Sequence, residues 1–261
     1  MDILKKIIDY KKPVIEERKE LIPIKLLEKS IYFNTPVVSM REYLLRENAS
    51  GIIAEFKKKS PSKGDINIYA DVEEVTLGYM QAGASALSVL TDEHFFGGKN
   101  EDLTKARKYN FCPILRKDFI FDDYQIYEAK SIGADIILLI AEVLTKDQIL
   151  QLSSTAKGLG LEVLLELHST DQISKINDNI DIIGVNNRNL KTFEVSIENS
   201  KSIAHSLPDD MLRISESGIN SANDILELKE YGYRGFLIGE RFMKAPRPHE
   251  ACKTLIDSLK Q

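Results

Sequence analysis

From Ile52 to the C-terminus, two hydrophobic patterns take turns along the chain. Short apolar runs of strand length lie at 52–56, 86–90, 112–116, 135–141, 162–167, 180–186, 212–215 and 235–238. Apolar residues at helical spacing fill the intervals, at 72–82, 100–108, 123–132, 146–159, 169–176, 197–207, 221–231 and 249–259. Strict alternation of eight strand patterns with eight helical ones predicts an α/β fold, a single (β/α)8 TIM barrel. A doubly wound sheet stops at about five or six strands. Segments 82–90, 132–139 and 231–238 echo one another, each leaving a helix through a glycine (Gly83, Gly133, Gly232) and entering a strand. That glycine supplies the left-handed residue a helix C-terminus needs.

Residues 1–48 read differently. Leu4, Ile7 and Ile8 recur at helical spacing, Pro23 interrupts, and Met40 to Arg46 forms a further amphipathic turn that Asn48 and Gly51 stop. The expected organisation is an N-terminal helical extension over 1–48, too short to be a domain, followed by a barrel over 49–261.

In such a barrel the reacting groups sit at the C-terminal strand ends, so polar residues there with inward parity are the informative ones. On the first strand, Glu55 and Lys57 share the face of Ile53, an acid and an amine that are costly to bury unless they pair or react. The following loop, Lys58 to Gly64, gathers positive charge, hydroxyls and flexible backbone, as a phosphate site does and as a solvated basic turn also does. Lys117 caps the face of Leu115 on the third strand, where a half-desolvated amine is expected to have a lowered pKa and to deliver a proton. Glu166 shares the face of Leu164 on the fifth; burial would raise its pKa and nearby ammonium groups would lower it, a balance the sequence leaves open. Gly184 and Asn186 point inward from the sixth strand, with Arg188 just beyond on the same parity, and Glu216 follows Ile214 on the seventh. The turns Ser217-Gly218 and Gly239-Glu240 suit the phosphate site that barrels build after strands seven and eight. An acidic side chain repels phosphate, so only the backbone N–H of Glu240 is expected to face it. Any one of Glu55, Lys57, Lys117, Glu166 and Asn186 could be a structural salt bridge or cap. Five with inward parity on four strand ends point to a reaction centre.

Composition narrows the partners. The chain has 261 residues, 43% of them hydrophobic, enough for a sizeable core. A formal charge of -5 argues against a nucleic-acid binder and leaves room for a local basic pocket that takes a small anion. Cys112 and Cys252 are too few for a disulfide framework and suit a reducing cytosol. The N-terminus lacks the features of a signal peptide, and no apolar run approaches membrane-spanning length, so a cytoplasmic location and no membrane partner are expected. His94, His168, His205 and His249 show no metal-ligand spacing and read as surface or cap residues; no metal is expected. Phe95 and Phe96 lie beside Gly97-Gly98, where they would cover an aromatic ligand or pack the loop.

With these residues assembled, the chain resembles the indole-3-glycerol-phosphate synthases of tryptophan biosynthesis from its first helices through its last. The resemblance rests on the stretches Ile53 to Ser62, Leu87 to Thr91 with Phe96, Pro113 to Ile120, Gly184 to Leu190, and Ser215 to Ile219. It implies a single barrel with an N-terminal extension, no metal or organic cofactor, and conversion of 1-(2-carboxyphenylamino)-1-deoxyribulose 5-phosphate to indole-3-glycerol phosphate, CO2 and water. It implies Lys117 as the acid of ring closure, Lys57 as the partner of the substrate carboxylate and a proton source in dehydration, and Glu166 as the base. Glu55, Asn186 and Glu216 would hold the lysines and substrate hydroxyls. Ser60, Gly218, Gly239 and Glu240 would bind phosphate, with Ser217 at the edge, Lys59, Lys63 and Arg188 adding charge at the mouth, and Phe96 against the anthranilate ring. The extension would close part of the mouth. The chain ends after its eighth barrel helix, leaving no room for a fused catalytic domain, so other tryptophan-pathway enzymes would be separate partners. Two alternatives stay open: a phosphoribosylanthranilate isomerase, which would need a Cys and Asp pair that Cys112 is badly placed to supply, and a non-catalytic phosphosugar-binding barrel.

Overall fold

The computed structural model describes residues 3–190 and 192–260. Its centre is a closed barrel of parallel strands: β1 (Ile52–Phe56), β2 (Ala86–Leu90), β3 (Ile114–Lys117), β4 (Ile136–Ile140), β5 (Glu162–Leu167), β6 (Ile182–Asn186), β7 (Leu212–Glu216) and β8 (Gly235–Ile238). Each strand pairs with its sequence neighbours, and β8 closes onto β1 with Phe236 opposite Ile52 and Ile238 opposite Ala54. The outer ring comprises α4 (Val72–Gln81), α5 (Asn100–Tyr109), α6 (Asp123–Ser131), α7 (Lys146–Gly158), α8 (Glu198–Ala204), α9 (Ala222–Glu230) and α10 (Pro248–Ser258). Gly83, Gly133 and Gly232 leave their helices at φ 98°, 93° and 84°, the left-handed geometry the sequence echo implies.

Two expectations need correction. The helix expected over 169–176 is a 3-10 turn, Thr170–Lys175. Six residues are too few to offset α-helix nucleation, and the Gln172 side chain is drawn off to the His168 N–H (2.8 Å) and the Glu142 carboxylate. The basic loop after β1 is partly ordered as a small antiparallel ribbon, Lys59–Ser60 against Gly64–Asp65.

Helix starts follow local chemistry. Asp122, Thr145 and Ser221 cap α6, α7 and α9, each in a capping box with the residue three positions on (Gln125, Gln148 and Asp224). The chain before β1 forms α1 (Ile3–Leu21), α2 (Ile24–Leu27) and α3 (Met40–Leu45). Pro13 lies inside α1, where it removes one intrahelical bond. Anchors on both sides keep the helix continuous: Lys11 binds Asp92 and Asp118, Arg18 binds Glu128, and Lys19 binds Asp122.

The inward residues Ile53, Ala86, Leu115, Leu138, Leu164, Ile182, Ile214 and Leu237 fill the barrel, while the alternate residues pack outward against the helices. Leu4 and Ile7 of α1 join the inner cluster, as do Met40 and Leu44 of α3. Backbone N–H groups of Val38 and Met40 bind Asp135 and Glu162 at the N-terminal ends of β4 and β5, so α3 plugs the end opposite the strand C-termini. No described helix is long and apolar enough to cross a membrane.

Candidate active site

Inward parity brings the polar strand ends into one pocket. Its walls include Glu55 on β1 and Lys57 just beyond it, Lys117 on β3, Glu166 on β5, Asn186 and Arg188 at the end of β6, and Glu216 and Ser217 at the end of β7. Ser60, Phe96 and Glu240 also line it, and Ile3, Leu4 and Ile7 of α1 lie against it. The first helix therefore forms part of the pocket wall.

Lys117 is the hub. Its Nζ donates to Glu166 Oε2 at 2.9 Å and to Glu216 Oε2 at 2.6 Å. Burial alone would lower the lysine pKa, but Glu166, Glu216 and Glu55 together raise it above the ordinary lysine range. The expected lowered pKa is thus corrected: the ammonium is held charged by carboxylates from β5, β7 and β1. The same cluster settles the balance at Glu166. Burial would raise its pKa, yet Lys117 and then His168 pull it down to about 2. Glu216 goes the other way, pushed up to about 8 by burial and by the neighbouring Glu166, with Lys117 only partly offsetting. One ammonium serves two buried carboxylates, so one of them holds a proton more readily. Lys57 pairs with Glu55 at 2.8 Å, and Ser88 Oγ lies 3.4 Å from the same carboxylate.

Two glycines make room for these acids. A Cβ at Gly184 would overlap Glu216 Oε1, and one at Gly239 would lie 2.5 Å from Glu55 Oε1. Gly239 therefore serves the acid on β1 as well as the turn after β8.

A second, contiguous groove follows β7 and β8. It is lined by Ser217, Gly218, Gly239 and Glu240, with Lys57, Lys63, Arg188, Arg241 and Lys244 around it. Ser217 and Gly218 adopt φ 68° and 75°, a left-handed pair in which the serine is strained. The Glu240 carboxylate is turned to Lys244 (2.6 Å) and Arg188 (3.3 Å). Ser60 Oγ is buried without a hydrogen-bond partner in the protein.

Some expected residues are not gathered here. The stem of Lys59 lies across Gly97, and Lys59 is not among the residues lining either cavity. Lys58 pairs with Asp102 at 3.0 Å. Phe95 packs edge-on against Tyr10 and His94, while Phe96 does line the pocket, 5.7 Å from the Phe119 ring. Cys112 is buried before the N-terminal end of β3, its thiol pushed up to about 12 by burial, so it supplies no acid to this pocket. Sequence reasoning missed two features. His168, taken as a surface or cap residue, is partly buried, with both ring nitrogens out of solvent and Nε2 3.3 Å from Glu166 Oε1. Asp118, next to Lys117, is bound by Lys11 of α1 at 2.6 Å.

The chain is similar to known proteins along nearly its whole length. The family model described as indole-3-glycerol phosphate synthase matches residues 4–255. An indole-3-glycerol phosphate synthase from Bacteroides thetaiotaomicron is 47% identical over 258 residues, covering 99% of each chain. One from Carboxydothermus hydrogenoformans is 42% identical, covering 97% of this chain and 99% of its own. Among solved structures, the tryptophan synthase alpha subunit of Legionella pneumophila superposes with a TM-score of 0.61 at 14% identity, covering 85% of this chain and 97% of its own, a likeness of fold alone. With its full length matched and its barrel closed around a polar pocket, the chain belongs to the indole-3-glycerol phosphate synthase family.

Proposed function

We propose a division of labour for the indole-3-glycerol phosphate synthase reaction in this pocket. The observation that carries it is Lys117, a buried ammonium held between two carboxylates at the end of an apolar barrel interior. As the arene carbon attacks the ribulose carbonyl, Lys117 delivers a proton to the carbonyl oxygen, and the carboxylate leaves as CO2. In the dehydration that follows, Lys57 protonates the departing hydroxyl and Glu166 removes the proton the new ring must lose. Glu55 and Glu216 hold the amines in place, and Asn186 bonds a substrate hydroxyl. Phe96 supports the aromatic ring. The groove after β7 and β8 takes the phosphate, with Ser60, Gly218 and the Glu240 backbone as donors and Arg188 and Lys63 adding charge. Both cysteines are buried and free, which fits a reducing cytosol.

Lys117→Ala tests this reading. Turnover, followed by the fluorescence of the indole product, should fall by about 10²–10⁴-fold while the variant still binds indole-3-glycerol phosphate. Retained turnover would refute the assignment.

A further inference from the structure

We infer that His168 is a relay residue that carries the proton taken up by Glu166 out to a second, polar groove beside the substrate pocket. The inference rests on the reading of Glu166 as the base. Glu166 uses one oxygen, Oε2, to accept from Lys117 at 2.9 Å. Its other oxygen, Oε1, faces His168 Nε2 at 3.3 Å, off the line of a formed hydrogen bond. Neither ring nitrogen of His168 has a hydrogen-bond partner in the protein, although both are buried. The backbone around the ring is fixed: the His168 N–H donates to Gln172 and its carbonyl accepts from Asn199. The residue is held in place while its titrating atoms are left uncommitted.

His168 lines a polar groove that Glu166 does not line, and this groove adjoins the substrate pocket through Arg188 and Leu190, which line both. The charged groups around that groove are Glu142 beyond β4, Asp171 in the 3-10 turn, and Arg188 and Glu194 after β6. Apart from Glu166, these are the ionisable groups among the described residues that line the ring's surroundings.

Proton balance gives the contact a task. When the substrate enters with its benzoate ionised, one turnover yields indole-3-glycerol phosphate, CO2 and water and consumes one proton. The two lysines each give one proton and Glu166 takes one. In the relay, the Glu166 O–H bond breaks as Nε2–H forms, and the Nδ1–H bond breaks as a water that enters from the groove to reach this buried nitrogen takes its proton. Two protons regained by the lysines from solvent, less the one released through His168, leave the single proton consumed. Glu166 is then reset while product still covers the lysines.

His168→Gln and His168→Asn test the relay, with kcat and kcat/KM measured against pH in H2O and D2O. Loss of CO2 is irreversible and precedes the proton removal, so kcat/KM should stay within about twofold while kcat falls about 5- to 10-fold. The solvent isotope effect on kcat should increase, and one ionisation should disappear from its pH profile. Unchanged kcat would mean that Glu166 returns its proton directly to Lys117, and a parallel fall of kcat and kcat/KM would mean a structural role; either overturns the relay. Glu166→Gln separates the two readings. If that variant is inactive while His168→Gln behaves as wild type, only the relay fails, whereas an active Glu166→Gln removes the base itself.

Discussion

Lys11→Met severs a buried charge link between α1 and the strand end that carries Lys117. Lys11 Nζ lies 2.6 Å from Asp118 Oδ1 and 3.2 Å from Asp92 Oδ2, and all three side chains are buried. Burial alone would raise the Asp118 pKa, but Lys11 and Arg116 together hold it well below the usual carboxylate range. Removing one partner of a buried pair costs about 3–5 kcal/mol. The lower end applies here, because neither acid is orphaned. Asp118 keeps Thr91 Oγ1 at 2.7 Å, Arg116 at 3.2 Å and the Phe119 N–H at 2.7 Å, and Asp92 keeps the Phe95 N–H at 2.7 Å. About 3 kcal/mol corresponds to a fall in Tm of about 6–12 °C for a chain of this size. Because Ile3, Leu4 and Ile7 on the same helix line the pocket, KM should rise as α1 loosens. The assay is a melt followed by circular dichroism beside steady-state kinetics, with a double-mutant cycle through Asp118→Asn to isolate the pair. A Tm within 1 °C of wild type together with an unchanged KM, on the scale of that estimate, would falsify the anchor.

Two further substitutions probe the acids around Lys117. Gly184→Ala places a methyl group where Glu216 Oε1 lies and 3.2 Å from Leu164 Cδ1. Overpacking of this kind costs about 1–3 kcal/mol and should lower kcat about 10-fold or more as Glu216 is pushed from Lys117, so wild-type kcat would show that the contact is dispensable. Glu216→Gln is read by pH. The folded pKa of Glu216 is pushed up to about 8 by burial, against about 4.3 for an unfolded glutamate, so the folded state binds the proton more tightly between those values. Stability present at low pH is lost as pH rises through that window. The glutamine carries no such loss, and the Tm of the variant relative to wild type should climb from pH 5 to pH 8 on this linkage. A pH-independent difference would rule out the raised carboxyl.

Strand parity made most of the site legible before any coordinates. A parallel barrel buries both faces of each strand, so a charge at a C-terminal end with inward parity has few structural excuses, and Glu55, Lys57, Lys117, Glu166, Asn186 and Glu216 all meet in the pocket. What the sequence could not carry was anything set by two distant segments at once. The Lys117 pKa was read from burial alone, whereas its partners come from strands 49 and 99 residues away in sequence. The Lys11 and Asp118 pair spans 107 residues and leaves no local signature. His168 shares the parity of Glu166 and lies one residue past β5, as Lys57 does past β1, but a test of metal-ligand spacing does not register an acid two residues away. Lys59 fails for the opposite reason: its charge suggested the mouth, but the ribbon at Lys59–Ser60 turns its stem across Gly97.

The charge count of the pocket explains why one acid must be weak. Glu55, Glu166 and Glu216 face Lys57 and Lys117, so full ionisation would leave three buried negative charges against two positive ones. A substrate that brings a benzoate and a phosphate would then enter a negative cavity. Glu216, pushed up to about 8 by burial, takes up a proton more readily than Glu166 and so reduces that excess. In the groove after β7 and β8 five cationic side chains outnumber Glu55 and Glu240, the excess of positive charge on which the proposed phosphate site relies. On the proposed reading, the raised Glu216 carboxyl eases the entry of an anion beside two other acids, and the same raised pKa makes the fold less stable as pH rises towards about 8.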